Sequence, residues 1–379
     1  MNILMLAIDF RLSSGGKAEY LHRIAESLAS KGLGVTVITE QENCRKESGS
    51  PCRIMGMRIR GEKRSIKKYI DKFKRYRSII RENDIQKIII GSIDYKYVDP
   101  FILLLVALKS RIPCYIFTFA LELNAATWRD RLKRWMFLRL TSGVFPISSY
   151  TAGIVKGLVH RKEGMVIVEP GCNITDFKVD INRETSSLSR EYGIQDRKVL
   201  LTVGRLVRRK GVDTVIAVMP NILKEVPDAL YIIAGEGPLG SELREMVKSL
   251  GLGSSVIFSG YFDEAKKQEL YGICDVFIMP CKELPGFDAE GFGIVFLEAA
   301  ASGKPVIAGN AGGAKEAVED QETGFLVDPC DPDDVKDKAV YLLKDPEKRR
   351  EMGLKGRKRV KEKFEWNALI DRVVEALKA

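Results

Sequence analysis

The chain predicts two consecutive α/β domains, each a doubly wound parallel sheet, on three observations. Short apolar runs recur along its whole length with helical patterns of ten or so residues between them, the alternation that builds parallel sheets covered on both faces. At 379 residues, 45% hydrophobic and 30% charged, it can bury a full core and is long for one domain. A polar stretch over 180–196 interrupts the alternation near the middle and has the character of a linker.

The first domain, taken as residues 1–180, is expected to hold strands over Ile3–Ile8, Gly34–Thr39, Lys87–Gly91, Cys114–Thr118 and Gly143–Ile147. Met1 to Asp9 carries no basic leader, long apolar core or cleavage site and closes on a loop, so it reads as a first buried strand. Val166 to Phe177 reads as a strand followed by its turn. The second domain, taken as 181–360, is expected to hold about six strands, at Val199–Val203, Leu230–Ala234, Val256–Ser259, Val276–Met279, Val306–Ala308 and Phe325–Val327. The cleft between two such domains, lined by the carboxyl ends of both sets of strands, is the expected ligand site.

Charge and cysteine content narrow the classes. The net charge is +10, but residues 1–180 hold 31 Lys and Arg against 18 Asp and Glu, and the remainder 30 against 33. The first half is therefore expected to meet an anionic surface. Two segments concentrate the charge. In Glu62 to Arg81, Ile66, Tyr69, Ile70, Phe73, Tyr76 and Ile80 follow helical spacing among lysines and arginines; in Trp128 to Arg139, Trp128, Trp135, Met136 and Phe137 lie among Arg129, Arg131, Lys133, Arg134 and Arg139. Such a stripe faces either the core or a membrane surface. No nucleic acid is expected as a partner, because no recognised binding motif accompanies the charge. The longest apolar run, Phe101 to Leu108, is far short of the roughly 20 residues that span a bilayer. Seven cysteines without close pairs at metal-ligand spacing, and two histidines, argue against a zinc site or a disulfide framework and favour a reducing cytoplasm.

Two motifs carry chemistry. Gly204-Arg-Leu-Val-Arg-Arg-Lys-Gly211 follows a strand and precedes a helix, and offers a guanidinium fork at Arg205 and a point charge at Lys210. A solvated basic turn would look the same. Asp288 to Glu298 places Glu290 in a loop, a glycine turn at Gly291–Gly293, and Glu298 in the first turns of an apolar helix. The free N–H groups of that helix start, together with Arg205 and Lys210, suit a diphosphate whose negative charge grows as a glycosyl bond breaks. Glu298 either complements the helix dipole or accepts from ribose hydroxyls; on a helix otherwise of Ile, Val, Phe, Leu and Ala, a buried carboxylate needs a partner. Glu290 is placed for the sugar. The single Asp-x-Asp, Asp331-Pro-Asp333, sits where a helix would begin, so capping explains it better than a cation.

With Ala234-Gly-Glu-Gly-Pro238, Asp275-Val-Phe-Ile-Met-Pro280 and Gly309-Asn-Ala-Gly-Gly313 added, these motifs resemble the family-4 retaining glycosyltransferases of GT-B fold, over nearly the whole chain. Within the family they look closest to the bacterial mannosyltransferases that modify phosphatidylinositol mannosides. The resemblance implies two Rossmann-like domains facing a central cleft, with the closing helix of 361–379, after Lys363-Phe-Glu-Trp366, packing back on the first. It implies a metal-independent, retaining transfer without cofactor, from a nucleotide-diphosphate sugar (GDP-mannose or a UDP-sugar) to a lipid-linked or glycan acceptor at the cytoplasmic membrane face. Glu290, Arg205 and Lys210 take the catalytic places. The donor-binding set is Gly16, Gly204, Arg205, Lys210, Gly235, Gly260, Glu290, Gly291, Phe292, Gly293, Ile294, Val295 and Glu298. Gly15, Phe119 and Glu122 are the acceptor-side candidates, the first in the loop Ser14-Gly15-Gly16.

One departure bears on activity. Phe119, in Thr118-Phe-Ala-Leu-Glu122, stands where the family commonly has a histidine, and neither His22 nor His160 fits that position. The alternative reading is therefore a catalytically degenerate sugar-nucleotide-binding partner or regulatory subunit. A second departure, Pro170-Gly-Cys-Asn173 where the family more often shows Asn-Gly, has no functional account.

Overall fold

The computed structural model describes residues 1–10, 15–40, 50–59, 65–93, 97–124, 127–160, 163–177, 184–286 and 288–379. By its internal contacts the chain divides into two compact units, Met1–Glu169 with Trp366–Ala379, and Pro170–Glu365. The first boundary falls earlier than residue 180 because the Cys172 N–H donates to Phe364 O at 2.8 Å and so ties its segment to the second unit. The second falls at 365 because α13 (Pro346–Lys363) stays with that unit, its Gly353 pressed against the Gly303 carbonyl where no Cβ would fit.

The first unit holds β1 (Asn2–Leu6), β2 (Gly34–Glu40), β3 (Arg53–Met57), β4 (Lys87–Ile90), β5 (Cys114–Thr118) and β6 (Gly143–Pro146), in the order β3-β2-β1-β4-β5-β6 with every pair parallel. The second holds β7 (Lys198–Val203), β8 (Ala229–Ala234), β9 (Val256–Gly260), β10 (Val276–Met279), β11 (Val306–Gly309) and β12 (Gly324–Val327), in the order β12-β11-β10-β7-β8-β9, again parallel throughout. Each sheet starts in its middle, grows to one edge, then returns and grows to the other. The direction of winding reverses between β1 and β4, and between β7 and β10, and a crevice opens at the carboxyl ends of such a strand pair.

β3 escapes a periodicity reading because it is a half-exposed edge strand with Gly56 inside it and no buried apolar run. The stretch after Met165 is not a strand of the sheet. It runs beside β6 through a single bridge from Val144 to Met165, with the N–H groups of Val166 and Val168 donating to Val144 O and Pro146 O, and Gly164 and Pro170 leave it too short for a ladder.

Helix packing follows the apolar faces. In the second unit α7 (Val212–Glu225) and α12 (Pro332–Lys344) share a core in which Val215, Met219 and Ile222 meet Val335, Leu342 and Leu343. Each such side chain contributes roughly 1.5–3 kcal/mol by leaving water. Asp331 is the N-cap of α12, accepting from Asp333 N and Asp334 N, which accounts for the Asp-x-Asp. In the first unit α2 (Ile66–Glu82) packs Tyr76, Ile79 and Ile80 inward and is joined to α3 (Asp99–Ser110) by a buried polar knot: Lys72 Nζ lies 2.7 Å and Tyr76 OH 2.8 Å from the Asp99 carboxylate. The closing helix α14 (Trp366–Lys378) docks on α1 (Gly16–Ser30) and β5. Trp366 lies 5.6 Å from the Tyr20 ring, Lys31 pairs with Asp371 at 2.6 Å, and Tyr115 OH donates to Ala376 O.

Candidate functional site

In the second unit the loops after β7, β8 and β9 are stitched together by their backbones. Gly204 N donates to Ala234 O at 2.9 Å, Leu206 N to Glu236 O at 3.0 Å, and Gly235 N to Gly260 O at 2.9 Å. Gly204, Gly235 and Gly260 thus form one row across the carboxyl ends of adjacent strands. The β7 loop tightens through a 3-10 turn at Arg208–Lys210 and enters α7 at Gly211, whose φ is +70°. A Cβ there would also collide with the Pro280 carbonyl, so only glycine lets this loop sit against the one leaving β10.

Those two loops leave β7 and β10 on either side of the point where winding reverses, and charged side chains join them. Lys210 Nζ is 2.5 Å from Glu290 Oε2, Arg209 Nη1 is 3.3 Å from Asp288 Oδ1, and Lys282 Nζ is 2.7 Å from Asp213 Oδ2. Lys282 N also donates to Arg209 O at 2.7 Å, and Arg208 pairs outward with Glu242 at 3.1 Å. Among the described residues Arg205 has no carboxylate partner; its side chain is exposed. The loop therefore holds one open guanidinium beside three cations that already have acids.

Burial pushes the Glu290 carboxyl upward, but Lys210 and, behind it, Arg209 more than offset that, so its pKa lies below the ordinary value. Glu290 is an anion held against a cation. Burial pushes the neighbouring Cys281 thiol up to about 12, so it is neutral and inert at the site's edge.

The second wall is α10 (Ile294–Ala301), which starts at Gly293 with φ +90° and has no side-chain cap. The N–H groups of its first turn, at Ile294 and Val295, are thereby left for a ligand or water. Gly291 and Phe292 bring only backbone to the turn, since the Phe292 ring is buried against Phe364 at 5.7 Å. Gly313 N donates to Glu290 O at 2.8 Å and fixes the turn from the β11 side. Glu298, on α10, is 2% exposed, and its carboxylate is held by Lys267 and Tyr271 of α9 (Glu264–Ile273), two residues that sequence reasoning did not single out. Their signal was available: a lysine and a tyrosine four apart on a short helix before the Asp275 strand.

The acceptor-side candidates belong to the first unit. Gly15, with φ +105°, is the uncapped N-cap of α1 and Gly16 its first residue; Ser14 lies outside the described residues. Lys17 Nζ reaches Ser92 Oγ, after β4, at 3.4 Å. The Phe119 ring meets Tyr20 edge-on at 5.5 Å, and its N–H is accepted by the Glu122 carboxylate. The next residue, Ala120, is fully buried at φ +94°, a costly conformation for a side chain. His22 lies on α1, 3.2 Å from Glu26, and His160 closes α5 (Ser149–Val159); neither is at the place of Phe119. Among the described residues no group of three or more His, Cys, Asp or Glu is placed to hold a metal ion.

Residues 184–359 match the family model "Glycosyl transferases group 1". The second unit carries a glycosyl transferases group 1 domain. The chain is 35% identical, over 233 residues, to the GDP-mannose-dependent alpha-(1-6)-phosphatidylinositol monomannoside mannosyltransferase of Mycobacterium tuberculosis (strain ATCC 25618 / H37Rv), covering 61% of this chain and 60% of that one. It is 33% identical over 235 residues to the GDP-mannose-dependent monoacylated counterpart of Corynebacterium glutamicum, 62% of this chain and 61% of the other. The matches thus span about 60% of the length of these curated relatives. Among solved structures, that of Anabaena Alr3699/HepE in complex with UDP superposes over 100% of both chains with a TM-score of 0.82 at 20% identity. That likeness, together with two parallel sheets of six strands each, gives the fold class as α/β of GT-B type. Among the described residues no helix is long and apolar enough to cross a membrane.

Proposed function

We propose that the chain is a hexosyltransferase that moves a hexose, with retention and without a metal ion, from a nucleotide-diphosphate sugar to a lipid-linked or glycan acceptor at the cytoplasmic membrane face. The observation that carries the reading is the Lys210–Glu290 pair, which joins two loops at the point where winding reverses and lies beside an uncapped helix start. Arg205, Lys210 and the N–H groups of Ile294 and Val295 would hold the diphosphate, and their fixed charges gain most as its negative charge develops. Glu298 would accept from the ribose hydroxyls, and Glu290 would face the hexose. The acceptor hydroxyl then attacks the anomeric carbon on the face the diphosphate leaves, and the departing phosphate oxygen takes the hydroxyl proton. GDP-mannose is the donor favoured by the mannosyltransferase relatives, with a UDP-sugar the other choice.

A lipid acceptor is supported by α4 (Trp128–Leu140). Trp128, Leu132 and Trp135, at 71%, 51% and 49% exposure, form one row on its outer face, while Phe137 and Leu138 turn inward. Arg129, Arg131 and Arg139 flank or complete that row, so its complement is an anionic lipid surface. The degenerate-partner reading keeps one observation in its favour: Phe119 puts an aromatic ring, packed on Tyr20, where a titratable group would act.

The test is release of nucleoside diphosphate from a panel of UDP- and GDP-sugars, with and without EDTA and a bacterial lipid extract. EDTA-resistant release from one donor, raised by lipid, is the expected result. Release that EDTA abolishes would sink metal independence, and donor binding without release from any member of the panel would favour the degenerate partner.

A further inference from the structure

Glu298 is held at both oxygens from α9. Lys267 Nζ lies 2.7 Å from Oε1, and the Tyr271 hydroxyl donates to Oε2 at 2.7 Å. Lys267 and Tyr271 are one helical turn apart, so a single face of α9 supplies both. Little of the cluster reaches water: the Lys267 and Glu298 side chains are 5% and 3% exposed, and Tyr271 is fully buried. At the rim of the cluster Lys267 also meets a second acid, Glu264, at 3.0 Å.

Stability alone is a poor reason for this arrangement. Removing two ions from water cancels most of their attraction, and apolar side chains of similar volume generally serve as well or better. A carboxylate has about four acceptor positions. Lys267 and Tyr271 each take one, on different oxygens, and so leave acceptor capacity on both. They also fix the last torsion of the side chain, which is otherwise broad and two-fold. A vicinal diol needs two acceptors presented side by side, and a carboxylate that swings presents them only part of the time.

We infer that Lys267 and Tyr271 are positioning residues for Glu298, holding its two oxygens in the one orientation that receives both ribose hydroxyls of the donor. The inference rests on the ribose role proposed for Glu298. It makes recognition of the diol, rather than binding in general, depend on α9.

The measurement is titration calorimetry of the full chain with GDP and UDP and with their 2′-deoxy counterparts. The wild type should prefer the ribonucleotide by roughly tenfold or more, because losing one hydroxyl leaves a desolvated acceptor unpaired. Lys267→Met and Tyr271→Phe should each shrink that preference severalfold, by weakening the ribonucleotide while leaving the deoxynucleotide nearly unchanged, and Lys267→Arg should restore most of it. Tyr271→Phe removes one oxygen and keeps the ring against Phe177 and Phe277, so it remains informative should Lys267→Met fail to fold. A wild-type preference retained in folded Tyr271→Phe and Lys267→Met, but abolished by Glu298→Gln, would overturn the positioning role alone. A preference that survives Glu298→Gln, or is absent from the wild type, would remove the ribose role beneath it.

Discussion

The two sheets have the same strand order and reverse their winding at corresponding strand pairs, yet their carboxyl ends are furnished differently. At the ends of β7 and β10 the second unit gathers Arg209, Lys210 and Lys282 against Asp288, Glu290 and Asp213, with Arg205 left open beside them. At the ends of β1, β4 and β5 the first unit gathers glycines at 15 and 16, the Lys17 to Ser92 contact, and aromatic rings, Phe119 on Tyr20. Topology supplies the place for a ligand in both, and the side chains decide what can occupy it. A cross-linked charge cluster suits an anion whose charge grows during reaction. The first unit's aromatic shelf, a half-buried Phe119 ring resting on the buried Tyr20, is uncharged.

Breaking the charged side should have the largest effect. Lys210→Met is expected to lower nucleoside diphosphate release by about a hundredfold or more, the usual cost of removing one fixed charge or donor from a developing anion. It should also cost on the order of 3 kcal/mol of stability, because the largely buried Glu290 is left with Arg209 alone behind it. The pH dependence gives the sign. In the wild type Glu290 titrates lower folded than unfolded, so its contribution is complete above the ordinary value of 4.5 and is lost only as the pH falls through the lower folded value. Without Lys210 only Arg209 opposes burial, and the folded pKa rises from its wild-type position. The variant's deficit should then be small in acid and grow as the pH rises through that raised value, and thermal unfolding of both proteins from acid to neutral pH would show it. A deficit constant with pH would mean that Glu290 does not lean on Lys210.

The same contrast explains what the sequence made legible. The second unit's strands were readable because most are short, buried apolar runs between helical patterns, β9 being the half-buried exception, and its site was readable because glycine turns and charges cluster at strand ends. Arg205, Lys210, Glu290 and the α10 turn do lie on the loops inferred for them. What stayed hidden depends on distance in three dimensions: that Glu290 is paired across the strand junction, that Lys267 and Tyr271 brace Glu298, and that Phe292 spends its ring in the core. In the first unit β3 gave no signal because an exposed edge has no buried face to pattern. The tryptophans of α4 could face either way by spacing alone, and only packing separates Phe137 inside from Trp128 and Trp135 outside.

A smaller effect, severalfold rather than a hundredfold, is expected at the aromatic shelf. Phe119→His places a titratable ring against Tyr20 where Glu122 already accepts the neighbouring N–H. If the wild type transfers without a protein base, release should change only severalfold and keep its pH profile. A variant that turns over from a silent wild type would instead show that the first unit had lost a catalytic group and kept its fold.

The smallest effect on chemistry should come from the outer face of α4, and that is what makes it a clean test of the first unit's second surface. Trp128 and Trp135 take no part in the core, and neither lies in the charged loops after β7 and β10. Trp128→Ala with Trp135→Ala should leave stability and release from a soluble donor within experimental error. It should weaken co-sedimentation with anionic liposomes about tenfold, since the affinity of an interfacial helix grows with the apolar area it buries. Raising the salt should weaken the wild type as well, because Arg129, Arg131 and Arg139 then lose their attraction to the lipid headgroups. Partitioning that is indifferent to both the tryptophans and the salt, or absent from the wild type, would sink the membrane face and leave a soluble glycan as the acceptor to pursue.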